Sequence, residues 1–453
     1  MVKRKEAPEA LIALGAATLK KRLESGALRA VDLTAACLEV IARREPEVKA
    51  WAWLDSDFAL KQAEALDLRR KHGKPIGPLH GLPVGIKDII DTARIPTENG
   101  SAMDKGRVPK TDAFVVERLK QAGAIVMGKT VTTELAFLDS GKTTNPHNAA
   151  HTPGGSSSGS AAAVAAHMVP LAIGTQTGGS IIRPASYCGV TGFKPTYGVI
   201  PRTGILRSAP TLDTVGVYGA RAEDAALLAD VLAGYCPSDP ATSMAPGPRL
   251  IETAASKPPL TPVLAFIRPF GWEEAEPAMK EAVEELVTVL GDQCFEVNLP
   301  RAFEEALAQH RTIYAAEMAK CYYAYEKKAG DQLPPSVAAM MGEGKAIPAR
   351  DYIAALDWRG LLNAALDEVF ERCDAIIMPA ATGPAPAGFA STGNPVFNGV
   401  WTLCGTPAVS LPLFTDEAGM PMGLQMIGPS HGDGRLLRTA RWLEGYLAEE
   451  QTQ

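Results

Sequence analysis

These 453 residues lack a positive field: 45 lysines and arginines stand against 51 aspartates and glutamates, a formal charge of −6. Without a basic excess there is no electrostatic grip on a phosphate backbone, so a nucleic-acid partner is not expected. The seven cysteines (Cys37, Cys188, Cys236, Cys294, Cys321, Cys373 and Cys404) are scattered singly with no Cys-x-x-Cys pair. Neither a zinc site nor a disulfide framework is indicated, and a reducing cytoplasm fits. No apolar run approaches the ~20 residues needed to span a bilayer, so no membrane partner is expected either. Residues 10–19, after Lys3-Arg4-Lys5, imitate a short secretory h-region. Glu6 and Glu9 precede them, Lys20-Lys21-Arg22 follow, and no small-residue cleavage pattern appears, so they read as an amphipathic surface helix. No internal repeat or low-complexity tract is present.

What is present is a chain that is 46% hydrophobic, enough for a large core. Up to about residue 70 the pattern is helical: Leu33, Cys37, Leu38, Val40 and Ile41 recur at helical spacing, and Ala59 to Arg70 has almost no breaker. Short apolar runs then alternate with helical stretches, as in Pro83 to Ile86, Ala113 to Ala122 and Ala124 to Met127. That alternation predicts an α/β fold with a parallel or mixed sheet. Seven prolines between Pro237 and Pro262 predict a long surface connection without regular structure. Val263 to Ile267 reads as a strand, helical patterns dominate from Pro277 to about Cys373 as a cap, and Ala375 to Met378 and 405–428 read as strands returning to the sheet. No second α/β pattern follows the connection, so one large domain is expected. Its regions are an N-terminal helical part (1–70), a catalytic core (71–235), the proline-rich connection (236–262), a helix-rich cap (263–374) and a C-terminal return (375–453).

Two short motifs fail on context. Gly123 to Thr130 spells a P-loop, but its variable positions are the apolar run itself where an open phosphate cradle is needed. Gly155-Ser156-Ser157-Ser158-Gly159 spells a nucleophile elbow that would nominate Ser157 with Asp374 and His431. The elbow needs a buried strand immediately before it, and residues 145–153 are instead a polar loop with two prolines.

A stronger constellation joins Gly81 to Asp88, the serine-rich loop Gly154 to Ser160, and Gly174 to Pro184. Lys87 ends an apolar run, so its amine is drawn inward, where desolvation favours the neutral base; pairing with Asp88 or snorkelling to water is the alternative. Ser180 is glycine-flanked, and backbone N–H groups that turn inward together there stabilise a developing oxyanion. A lone serine is a weak nucleophile and needs a base or a relay, which Ser156, 24 residues upstream, could supply.

These segments resemble the amidase signature family. The likeness runs from Gly154-Gly155-Ser156-Ser157-Ser158-Gly159 through Gly178-Gly179-Ser180 to Cys188-Gly189-Val190-Thr191-Gly192-Phe193-Lys194-Pro195-Thr196-Tyr197-Gly198, with support at Leu79 to Asp88, Gly405 to Ala408 and Gly423 to Gly428. The resemblance implies Ser180 as the acylated nucleophile, Ser156 as the bridging serine after a cis bond from Gly155, and Lys87 as the base. It implies an oxyanion hole from the N–H groups of Thr177, Gly178, Gly179 and Ser180, and no metal or organic cofactor. Ile182 stands where many members carry arginine, with Arg183 next, as in the subgroup resembling malonamidase, where the arginine can face a substrate carboxylate; Gln176 stands where an aspartate is frequent. Gly155, Ser157, Arg183 and Trp401 are the further substrate-contact candidates. Specificity is expected in the loop after Glu134, the 310–360 cap, Pro379 to Thr382 and Phe397 to Trp401.

The leading expectation is a cytoplasmic amidase that hydrolyses a small or aryl carboxylic amide through a Ser180 acyl-enzyme, its chemistry extending to aryl esters and carbamates. Its partners would be small-molecule substrates alone, with a homodimer left open. The alternatives are a glutamine-hydrolysing amidotransferase A-type subunit, which shares the Ser180 chemistry, and a catalytically silent scaffold on the same fold.

Overall fold

The computed structural model describes residues 6–245, 247–329 and 332–450; Lys3 to Lys5 lie outside them. Eleven strands form one sheet: β1 (Trp51–Leu54), β2 (Pro83–Lys87), β3 (Ile125–Thr130), β4 (Leu171–Gln176), β5 (Thr191–Lys194), β6 (Thr214–Gly219), β7 (Leu264–Phe266), β8 (Cys294–Glu296), β9 (Ala375–Pro379), β10 (Ala408–Thr415) and β11 (Pro421–Ile427). Their order is β1-β3-β2-β4-β6-β5-β10-β11-β9-β7-β8. Pairing is parallel for β3-β2-β4 and β9-β7-β8 and antiparallel elsewhere, so the sheet is mixed and the fold α/β.

Both faces of the sheet are covered, which is why its strands read as unbroken apolar runs. In β9, Ala375 and Ile377 enter one core while Ile376 and Met378 enter the other, as the two-residue period of a strand requires. The larger core lies against helices Phe114–Gln121, Ala222–Leu232, Pro277–Leu290 and Asp433–Glu450. The second packs the sheet against helices Ala306–Cys321, Ala349–Phe370 and Gly399–Cys404. A third apolar cluster joins Ala315 and Met318 of the first of these to Met340 and Met341 of helix Pro335–Ala346 and to Leu135 and Phe137, closing a cap over one end of the sheet.

Three local features depart from the sequence reading. β1 interrupts the helical N-terminal part, because Trp51 is buried as it pairs with Thr130 of β3. β8 interrupts the helical stretch before Cys373 as a three-residue edge strand. Within the proline-rich connection a short helix, Leu250–Ala255, forms in the proline-free interval between Pro248 and Pro258 and buries Leu250 and Ala254. Residues 10–19 fold into helices Pro8–Ile12 and Ala16–Ser25, whose apolar faces (Leu11, Ile12, Leu19) join the core. No helix among the described residues is long and apolar enough to cross a membrane.

Candidate functional site

β2 and β4 run parallel as neighbours, so their carboxyl ends open on the same edge of the sheet, where Lys87 closes β2 and Thr175 sits near the end of β4. The serine-rich loop leads into helix Ser158–Ala165, which is buried from Ser158 to Val164 against this part of the sheet. Its close seating depends on Gly159, where a Cβ would overlap Ala50 O and Val131 N.

Lys87 is wholly buried, and its Nζ lies 2.7 Å from Ser156 Oγ, 2.9 Å from Thr175 Oγ1 and 3.0 Å from Ser157 Oγ. Burial holds the amine well below the usual lysine range, opposed by the charge of Asp213. A neutral amine has two N–H donors and one lone pair, so two of the three hydroxyls accept from it and one donates to it. Ser157 is the poorer donor, because Thr175 O, 3.1 Å away, competes for its proton while it accepts from Thr175 N at 3.2 Å. The lone pair is thus left to Ser156 or Thr175, and Ser156 is the closer. The Gly155–Ser156 peptide bond is cis.

After β4 the chain turns through Thr177, Gly178, Gly179 and Ser180, and each carbonyl of that turn is held from outside. Thr177 O accepts from His310 Nε2 at 2.8 Å, Gly178 O from Thr402 Oγ1 at 2.8 Å, Gly179 O from Arg183 N at 3.0 Å and Ser180 O from the Tyr218 hydroxyl at 3.1 Å. In a trans peptide the next N–H points opposite to the carbonyl, so these bonds turn the N–H groups of Gly178, Gly179 and Ser180 the other way. Gln176 Oε1 accepts from the N–H groups of Ile181 (2.8 Å) and Ile182 (3.1 Å), fixing where the turn ends. Burial keeps the His310 ring neutral at neutral pH.

A cavity of about 140 Å³ opens over this turn, lined by Gly178, Gly179, Ser180 and Arg183 from the loop and by Ala136, Phe137, Leu138, His310, Tyr314 and Met340 from the cap side. The loop after Glu134 and the cap therefore border the site, and within Phe397 to Trp401 Asn398 faces Gly179 and Gly399 lines a neighbouring cavity with Gly178 and His310, whereas Pro379 to Thr382 and Trp401 line neither. Trp401 lies in the second core against Phe303, with its indole N–H directed at Met378 Sδ, because its helix turns that face toward the sheet. Arg183 is anchored: Nε donates to Thr392 O at 2.7 Å and Nη2 to Gly155 O at 2.8 Å, so the guanidinium ties the serine loop to the 392 loop while its edge borders the cavity. Gly155 lies under that tie, where a Cβ would press on Thr392 and Thr133. The elbow grouping is not assembled, since Asp374 accepts from Val263 N and the exposed His431 donates its backbone N–H to Thr196 Oγ1. The P-loop spelling lies largely in β3 itself.

Several contributors carry no local signal. Thr175 hides within the β4 run, and His310 and Thr402 reach the turn from segments more than 100 residues away.

The amidase family profile matches residues 32–437, and the chain belongs to that family, whose enzymes act on C–N bonds. It is 35% identical over 93% of its length to the glutamyl-tRNA(Gln) amidotransferase A-type subunit of Rhodopirellula baltica, 94% of which is covered. Further relatives of the same name share 32–35% identity. Among solved structures it superposes at a TM-score of 0.89 and 28% identity on a chain from the vestigial complex of an s-triazine catabolic enzyme, covering 95% of this chain and 98% of that one. The peptide amidase of Stenotrophomonas maltophilia follows at a TM-score of 0.79 and 29% identity, with 94% and 95% covered.

These relatives overturn two expectations. The self-sufficient hydrolase of small or aryl amides gives way to the amidotransferase alternative, because the Lys87, Ser156 and Ser180 segments are common to both and do not discriminate between them. The expectation of no nucleic-acid partner also falls, since the relatives' own name contains a tRNA. Net charge describes one chain and says nothing of a site completed by other subunits.

Proposed function

We propose that this chain is the glutamine-hydrolysing subunit of an amidotransferase, releasing ammonia for a partner that uses it on an aminoacyl-tRNA. The observation that carries the reading is the identity of 35% across nearly the whole of both chains with a protein of that name. The buried Lys87–Ser156 contact beside the Ser180 turn supports the chemistry.

Neutral Lys87 takes the Ser156 proton as Ser156 takes that of Ser180, whose Oγ attacks the glutamine carboxamide carbon. The developing oxyanion is held by the N–H groups of Thr177, Gly178, Gly179 and Ser180. Ser156 returns a proton to the departing nitrogen, ammonia leaves, and water, deprotonated along the same path, releases glutamate from Ser180. Gly155 and Ser157 hold the relay, and Arg183 holds the loop. The reaction is glutamine plus water to glutamate plus ammonia. The chain works in the cytoplasm, where its seven unpaired thiols stay reduced.

The test is glutamate and ammonia release from glutamine by the purified chain, alone and with co-purifying subunits and aminoacyl-tRNA. Hydrolysis that the complex and tRNA stimulate, and that Ser180→Ala abolishes, is expected. Failure to hydrolyse glutamine in either state, with Ser180 still reactive toward a fluorophosphonate, would overturn the reading.

A further inference from the structure

Asp213, directly before β6, has no part in the Lys87–Ser156–Ser180 proton path, yet it grips the oxyanion turn directly. Its Oδ1 accepts from Thr177 Oγ1 at 2.6 Å, and its Oδ2 accepts from the N–H groups of Ser208 and Ala209 at 2.9 and 3.0 Å. Thr177 is therefore gripped twice, by Asp213 on its hydroxyl and by His310 on its carbonyl. Asp213, Thr175 and Thr177 line one small cavity of about 60 Å³ that Ser180 does not border, and Thr175 is a direct contact of Lys87.

A carboxylate is a costly choice there. Asp213 has no ion pair among the described residues, and Arg202, which borders the same cavity, is paired with Asp239 at 2.6 Å. Burial raises the Asp213 carboxyl to about 6, so at neutral pH it is ionised against its surroundings. Three hydrogen bonds and the nearby Arg202 offset part of that cost, and a buried carboxylate held against the oxyanion turn is a candidate for a functional role. The groups facing it are Lys87 from β2, Arg202, and Tyr314, Cys321 and Tyr322 from helix Ala306–Cys321 and its C-cap. Of these, Arg202 is the standing cation, and Lys87 is one only in its protonated form. Its charge favours the protonated form of Lys87, countering the desolvation of that amine.

We propose that Asp213 is a positioning residue for acylation of Ser180, fixing Thr177 at the head of the oxyanion turn through its hydroxyl and presenting its negative charge to Lys87. This role rests on the Ser180 acyl-transfer centre and not on glutamine as its substrate.

The test is the rate of fluorophosphonate labelling of Ser180 across pH, which reads acylation whatever the natural amide. Asp213→Asn keeps the shape and turns its amide toward Thr177 while losing the charge. The ascending limb should move to lower pH by on the order of one unit, since Lys87 then sheds its proton sooner. Thr177→Val, which removes the hydroxyl alone, should lower the plateau about tenfold with the limb unmoved. Thr177→Ser should restore the plateau. An unmoved limb in Asp213→Asn, or an unchanged plateau in Thr177→Val, overturns the proposal; uniform slowing with a lowered Tm is the structural outcome and overturns it too. If Asp213→Asn does not fold, the Thr177→Val and Thr177→Ser pair decides. A wild type that does not label removes the centre and this role with it, whereas a labelled wild type that ignores glutamine leaves the role standing.

Discussion

Two adjacent serines in nearly identical surroundings differ because of where one proton goes. Ser157 directs its hydroxyl to Thr175 O and is an acceptor toward Lys87, whereas Ser156 approaches the same nitrogen at 2.7 Å with its proton uncommitted. Ser156→Ala should therefore slow Ser180 acylation by at least about 100-fold, and Ser157→Ala by about tenfold. Stopped-flow phosphonylation with each variant measures this, and the reverse order would hand the relay to Ser157. Lys87 acts as base only when neutral, and burial holds its pKa below the lysine norm. The acylation rate should rise with pH up to that lowered value and level off above it, and Lys87→Met should lose both the limb and most of the rate. A mutant that keeps the limb would take lysine out of the mechanism.

At the scale of elements, the turn that bears Ser180 is shaped less by its own glycines than by side chains arriving from three other segments: His310, Thr402, and Tyr218 with Asp213 at β6. Helix Ala306–Cys321 is one, and it meets helix Pro335–Ala346 so closely that a Cβ on Gly344 would overlap Ala315 O. Gly344→Ala should force the two helices apart at a cost of ~1–3 kcal/mol. The His310 grip on Thr177 would loosen with them, so acylation should slow more than the loss in Tm suggests. Calorimetry beside labelling rates separates the two effects; full acylation at a reduced Tm would show that the cap and turn are not coupled. Sequence periodicity found β2, β3, β7 and β9 because their runs are apolar and punctuated. It did not separate β4, β5 or β6, whose glycine and threonine content resembles a loop until neighbouring strands satisfy the backbone.

Across the whole molecule, three lysines among the described residues are fully buried and all are held below their ordinary range: Lys87, Lys129 at about 8 and Lys194 at about 7. Desolvation is the leading cause in each case. The unfolded chain binds these protons up to about pH 10.5 and the native chain releases them earlier, so over that interval the unfolded state holds more protons and stability rises with pH. Urea midpoints should climb between pH 7 and 9, and Lys194→Met should flatten the climb; an unaltered slope would mean that the lysine is charged in the native protein. Lys129 also shields Asp88, 3.4 Å away, within the core. Lys129→Met should cost ~3–5 kcal/mol by stranding that carboxylate, seen as a fall in the unfolding midpoint that Asp88→Asn in the same background partly recovers.

Residue order alone determined the α/β class, the family and the candidate trio Lys87, Ser156 and Ser180, because these depend on periodicity and on motifs contiguous along the chain. Only the tertiary structure decided which serine faces the lysine with a free proton, that Trp401 belongs to the core, and that Thr175, Asp213, His310 and Thr402 surround the turn. Hydrogen-bond direction and burial arise when the parallel β2 and β4 open their ends together and the cap closes over them, and neither is written in any local stretch of sequence.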